Sequence, residues 1–132
     1  MTNVEREMPV KDAANEVYNA TQAMHGELPH NVTAPTVYSI VGNLKLSSGY
    51  YLRDFLTDMA DGLSRSLIDF DNYADDKSNP ADAVKKANQH INNAARLAEQ
   101  MAKELEEAQT AVNKIGYREP GDPHYRKPED RK

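Results

Sequence analysis

The feature that most constrains this chain is a run of apolar residues between positions 79 and 116, separated by alternating steps of three and four. This is the a/d spacing of a heptad repeat, and because it continues over more than four repeats it predicts one long helix with a single apolar seam. Asn79 and Pro80 are typical of a helix start, and Gly116 is typical of a helix end. The seam consists of Val84, Ala87, Ile91, Ala94, Ala98, Met101, Leu105, Ala108, Val112 and Ile115.

A second helix is predicted from about residue 34 to residue 70, with Thr33 as its N-cap and Pro35 in its first turn. Its seam contains several consecutive steps of four, which locally unwind a left-handed supercoil. The seam residues are Val37, Val41, Leu44, Tyr51, Phe55, Met59, Leu63, Leu67 and Phe70. Further apolar residues widen this face beyond what one partner helix covers, namely Ile40, Leu46, Tyr50, Leu52 and Leu56.

Three glycines, Gly42, Gly49 and Gly62, lie inside the second helix, where each costs about 1 kcal/mol relative to alanine. Either they allow a neighbouring backbone to approach closely, or Ser47-Ser48-Gly49 divides the segment into two shorter helices. The seam passes through the glycines without losing phase, which favours one continuous helix, with or without a kink.

The two helices are joined by a short, polar, turn-forming segment at residues 71–79. Such a connection between helices of nearly equal length predicts an antiparallel, coiled-coil-like hairpin. The predicted fold class is therefore all-α, with a helical hairpin domain at residues 33–116. We expect Leu105 to pack near Val41 and Leu44, because antiparallel pairing places late residues opposite early ones.

The two ends of the chain differ from the hairpin. Residues 1–32 form an N-terminal arm in which Pro9 and Pro29 flank a short amphipathic helix, which we expect to end at Gly26 and to pack on the hairpin or on a partner. Residues 117–132 contain three prolines, mixed charge and almost no aliphatic side chain, which predicts a disordered polar tail.

Composition excludes several classes of protein. The 21 acidic residues outnumber the 16 Lys and Arg, so the net charge of −5 disfavours a nucleic-acid partner. Because the chain has no cysteine, neither a disulfide framework nor a thiolate zinc site is available. No apolar run is long enough to span a membrane, and the start lacks the layout of a Sec signal peptide, so we expect a cytoplasmic protein.

Residue patterns that carry chemistry are missing from the sequence. The segment 71–82 has the length of an EF-hand loop, but Tyr73 and Asp76 stand where that loop requires an Asp or Asn ligand and a glycine. The four histidines follow no recognised metal or catalytic spacing, and no glycine-rich phosphate loop occurs. We therefore predict no catalytic residue, no metal and no cofactor. The alternative is an enzyme whose site residues follow no recognisable sequence pattern.

The tail contains Tyr125 and Glu129, which match a Tyr-x-x-x-Asp/Glu pattern. Together with two long helices across roughly residues 33–129, this resembles the small Trp-x-Gly proteins exported by type VII secretion systems. The resemblance implies an alternative role as a protein secreted without a Sec signal peptide and directed by its tail. In that family a Trp-x-Gly turn joins the helices, whereas this chain has no tryptophan and a longer connection.

The function favoured by the residues is protein interaction. The second helix carries more apolar surface than its partner helix and the N-terminal arm can cover, and exposed apolar patches are typical of interfaces. We predict a non-enzymatic helical module that forms a homodimer, with another helical protein as the alternative partner. The predicted interface residues are Leu46, Tyr50 and Leu56.

Overall fold

A computed structural model describes residues 1–131 of the chain. The structure is 74% helix and has no strand in that range, which confirms the all-α class. Three continuous helical segments follow one another along the chain. They are α1 (Asn3–Glu27); α2 (Ala34–Leu44), continued by a π-helical turn (Lys45–Tyr51) and by α3 (Leu52–Asp69); and α4 (Pro80–Val112).

Helix α4 begins where local chemistry predicts. The Asn79 side chain accepts a hydrogen bond of 3.0 Å from the backbone amide of Ala81, and Pro80 occupies the first helical position, where no amide is needed. The helix ends at Val112, before the predicted stop at Gly116. Although α4 is long, none of the helices within residues 1–131 is both long and apolar enough to cross a membrane.

Helix α1 is longer than predicted, because it begins at Asn3 and contains Pro9 in its interior. A capping box explains the early start: the Glu5 amide donates to the Thr2 hydroxyl, and the Thr2 amide donates to the Glu5 carboxylate. The prediction of a short helix flanked by Pro9 was therefore wrong. No residue of α1 is buried, and residues 1–32 form a compact unit of their own.

The second helical segment continues through all three glycines. It is neither broken nor purely α-helical at Ser47-Ser48-Gly49, since that stretch lies in the π-helical turn. Gly49 is buried, and a Cβ atom placed on it would lie 2.5 Å from the Cβ of Ala102 and 3.0 Å from its Cα. The absence of a side chain at Gly49 thus lets two helical backbones approach closely, one of the two alternatives that the sequence left open.

The core between these helices is built from alanines. The buried apolar residues are Ala60 of α3 and Ala95, Ala98 and Ala102 of α4. Three of the predicted seam residues of α4 are instead exposed, namely Ala94, Met101 and Ala108. The predicted seam is therefore wrong by one residue at these positions, because the next residue turns inward in each case: Ala95 and Ala102 are buried and Gln109 is half-buried.

The C-terminal segment follows α4 as a series of turns. The Asp122 amide donates to the Glu119 carbonyl, and the Tyr125 amide donates to the Asp122 carbonyl. A short 3-10 helix at Pro128–Asp130 follows. These local hydrogen bonds do not confirm the predicted disorder of the tail.

Candidate interaction surface

A row of polar side-chain bonds links the second helical segment to α4. Each bond joins one side chain of the π-helical turn or of α3 to one of α4, and the position of the α4 residue falls as the chain advances. The pairs are Lys45–Gln109 (3.0 Å), Tyr50–Glu106 (2.9 Å), Arg53–Glu99 (3.0 Å) and Ser64–Asn88 (2.7 Å). These residues define the polar flank of the helix pair.

Charge organises the middle of the polar flank. The Tyr50 hydroxyl donates to a Glu106 carboxylate oxygen, and this bond, helped by desolvation, raises the pKa of Tyr50. The Arg53 guanidinium lies 5.1 Å from the centre of the Tyr50 ring and also pairs with Asp54 at 2.9 Å. Since these charges are partly exposed, their main effect is to orient side chains rather than to stabilise the fold.

Polar groups in the connection between α3 and α4 have a simpler role. The Asp76 carboxylate accepts hydrogen bonds from Ser78, which lower the pKa of Asp76. Such a bond is typical of an Asx turn, which reverses the chain. Across residues 1–131, no three His, Asp or Glu side chains are grouped so that they could hold a metal ion.

Opposite the polar flank, the helix pair presents large apolar side chains. On α3, a helical step of about 100° per residue places Leu52, Phe55 and Met59 on the other side of buried Ala60 from Arg53. On α4, the same spacing places Leu97 and Met101 on the other side of Ala98 from Glu99. Arg53 and Glu99 bond to each other, so the polar sides of α3 and α4 coincide. The apolar residues on the opposite side of each helix therefore also lie on one side of the helix pair.

We call this set the apolar flank: Leu52, Phe55, Met59, Leu97 and Met101. The exposed fraction of these residues ranges from 38% at Leu52 to 63% at Leu97. Contiguous apolar surface on a folded unit is typical of a site for another molecule. The apolar spacing of the sequence predicts Phe55, Met59 and Met101 in the seam, whereas the structure exposes all three.

The three predicted interface residues lie along the second helical segment, two of them on the polar flank. Leu46 is exposed and lines a cavity on the polar flank with Lys45 and Gln109. Tyr50 is half-buried on the same flank and bonded to Glu106, whereas Leu56 is half-buried one helical turn before Ala60. Whether these three residues contact a partner stays a prediction. Of the residues that widen the apolar face in the sequence, Leu52 alone belongs to the apolar flank.

The tail motif residues lie in the C-terminal turns. Tyr125 is half-buried, and its hydroxyl oxygen lies 3.1 Å from the Nη2 of Arg131. Glu129 is exposed in the 3-10 helix Pro128–Asp130.

Comparison of the chain with known protein families, with characterised proteins and with solved structures finds no match.

Proposed function

We propose that residues 33–116 form an antiparallel helical hairpin that acts as a non-enzymatic interaction module and self-associates through the apolar flank. The falling order of the polar pairs, from Lys45–Gln109 to Ser64–Asn88, supports the antiparallel arrangement. The observation that carries the proposal is the exposure of five large apolar side chains on one side of α3 and α4.

A second copy of the chain is the partner that matches this surface best. An isologous contact pairs the apolar flank of one copy with the same flank of the other, so apolar surface meets apolar surface. The five side chains expose on the order of 400 Å² per copy, a typical size for the largest apolar patch of a monomer. Two such patches supply about half of a standard interface of roughly 1,600 Å², which predicts a reversible dimer rather than a permanent one.

Sedimentation velocity of the full chain at tens of micromolar tests the proposal. We expect the wild-type chain to sediment as a species heavier than its 14.8 kDa monomer. Leu97→Glu should return it to the monomer, because burial of an unpaired carboxylate in the interface is costly. Asn92→Glu is the matched control: it changes the charge equally, at an exposed position of α4 beside Arg53 and Glu99 on the polar flank, and should leave the dimer intact.

A third variant separates the apolar flank from the interface predicted by sequence. Tyr50→Glu changes the polar flank and should not affect the mass of the dimer if the apolar flank is the interface. Loss of the dimer in Tyr50→Glu but not in Leu97→Glu would contradict the proposal and favour the sequence-based interface. A wild-type chain that remains a monomer would contradict self-association altogether.

A further inference from the structure

The C-terminal turns enclose a cavity that the interaction surface does not use. Its volume is about 520 Å³, within the range of small-molecule sites. The residues that line it are Gly116, Tyr117, Arg118, Tyr125, Arg126 and Arg131. Three of the six are arginines and two are tyrosines, so cationic and hydroxyl groups dominate the wall.

Arg131 is held in place by its neighbours in the cavity wall. Its Nε donates to the Arg126 carbonyl oxygen at 3.0 Å, and its Nη2 lies 3.1 Å from the Tyr125 hydroxyl oxygen. The guanidinium carbon lies 5.5 Å from the centre of the Tyr125 ring. These contacts orient the guanidinium before any ligand arrives, which lowers the entropic cost of binding.

The arginines of the cavity have no acidic partner among the described residues. Within residues 1–131, arginine makes two ion pairs with carboxylates at 4.0 Å or less, and both involve Arg53. The charge of the chain is also unevenly distributed, because residues 113–132 contain six of its 16 Lys and Arg but four of its 21 Asp and Glu. The cavity is therefore a locally cationic site on an acidic protein.

We propose that this cavity binds a small molecule that carries a phosphate monoester. Guanidinium groups present donors in a fork that matches phosphate oxygens, and Arg118, Arg126 and Arg131 all line the cavity. A cavity of about 520 Å³ is larger than a phosphate ion and has room for an organic group attached to it. The proposal is independent of self-association, since the apolar flank lies on α3 and α4.

Isothermal titration calorimetry of the full chain at low salt, with adenosine monophosphate, phenyl phosphate and inorganic phosphate, tests the proposal. Adenosine serves as the probe that lacks phosphate and should not bind. Binding of both monoesters, with inorganic phosphate weaker, is the expected result and shows that the organic group contributes. Equal affinity for adenosine and adenosine monophosphate, or no heat with any phosphate, would overturn the proposal.

Two variants of Arg131 and one control locate the site. Arg131→Gln should weaken binding of the monoester by at least about tenfold, the expected loss of one charge-assisted hydrogen bond. Arg131→Lys keeps the charge but not the fork, and should also weaken binding. Arg96→Gln removes an arginine of α4 and should have no effect. Equal loss in Arg96→Gln and Arg131→Gln would show nonspecific attraction and overturn the assigned site.

Discussion

The close approach of Gly49 to Ala102 yields the sharpest prediction for the fold. Replacing a helical glycine by alanine ordinarily stabilises a protein by about 0.5–1 kcal/mol. At Gly49, however, the new methyl carbon would lie 2.5 Å from the Cβ and 3.0 Å from the Cα of Ala102. Carbon atoms in good contact are about 3.5–4.0 Å apart, so the two helices must separate by roughly an ångström.

The expected cost follows from this separation. Overpacking a well-packed core costs about 1–3 kcal/mol, and part of it is offset by the gain in helix propensity. We therefore expect Gly49→Ala to lower the free energy of unfolding by about 1–2 kcal/mol. Adding Ala102→Gly removes the shorter of the two contacts, so a double-mutant cycle should show a favourable coupling between the two sites.

Urea unfolding followed by circular dichroism measures these changes, with Gly62→Ala as the matched control. A Cβ at Gly62 would have the far end of the Arg65 side chain as its nearest neighbour, at an ordinary 3.7 Å, so that variant should be more stable than the wild type. If Gly49→Ala is stabilised as much as Gly62→Ala, the close packing of the π-helical turn on α4 is refuted.

Three further predictions concern Tyr50, Leu105 and the C-terminal tail. Because its pKa is raised above 10.0, protonated Tyr50 favours the folded state; this stabilisation is present below about pH 10 and lost as the pH rises through the folded pKa. In an absorbance titration of the phenols, Tyr50→Phe should remove a component with a midpoint above 10.0, and removal of one with a lower midpoint would contradict the bond to Glu106. Leu105→Ala should lower the free energy of unfolding by about 2 kcal/mol, the low end of the range for leucine-to-alanine changes, because Leu105 is half-buried. An unchanged urea midpoint would place Leu105 outside the core. Deletion of residues 119–132 should leave helicity and melting temperature nearly unchanged, whereas a fall of several degrees would show that the tail supports the helices.

Local chemistry explains which parts of the fold were predictable. The start of α4 depends on Asn79 and Pro80 alone, which is why its boundary was predicted to within a residue. The start of α1 differs from the prediction because Pro9 is typical of a helix boundary, whereas Thr2 and Glu5 form the capping-box pattern that begins this helix.

The details of the core and of the candidate surface depend on distance between helices, which periodicity does not contain. Heptad spacing identified the apolar sector of α4, but whether Met101 or Ala102 turns inward depends on how closely Gly49 lets the other helix approach. Likewise, the sequence does not contain the pair Arg53–Glu99, which determines the polar side of α3 and so leaves Phe55 outside the seam.

Concentration-dependent protection of the apolar flank is the most direct test of the proposed function. The chain contains no cysteine, so a single introduced cysteine reports on one position. We expect the alkylation rate of Leu97→Cys to fall as protein concentration rises from low to high micromolar, while that of Asn92→Cys, on the polar flank, stays constant. An alkylation rate at position 97 that is independent of concentration would contradict self-association through the apolar flank.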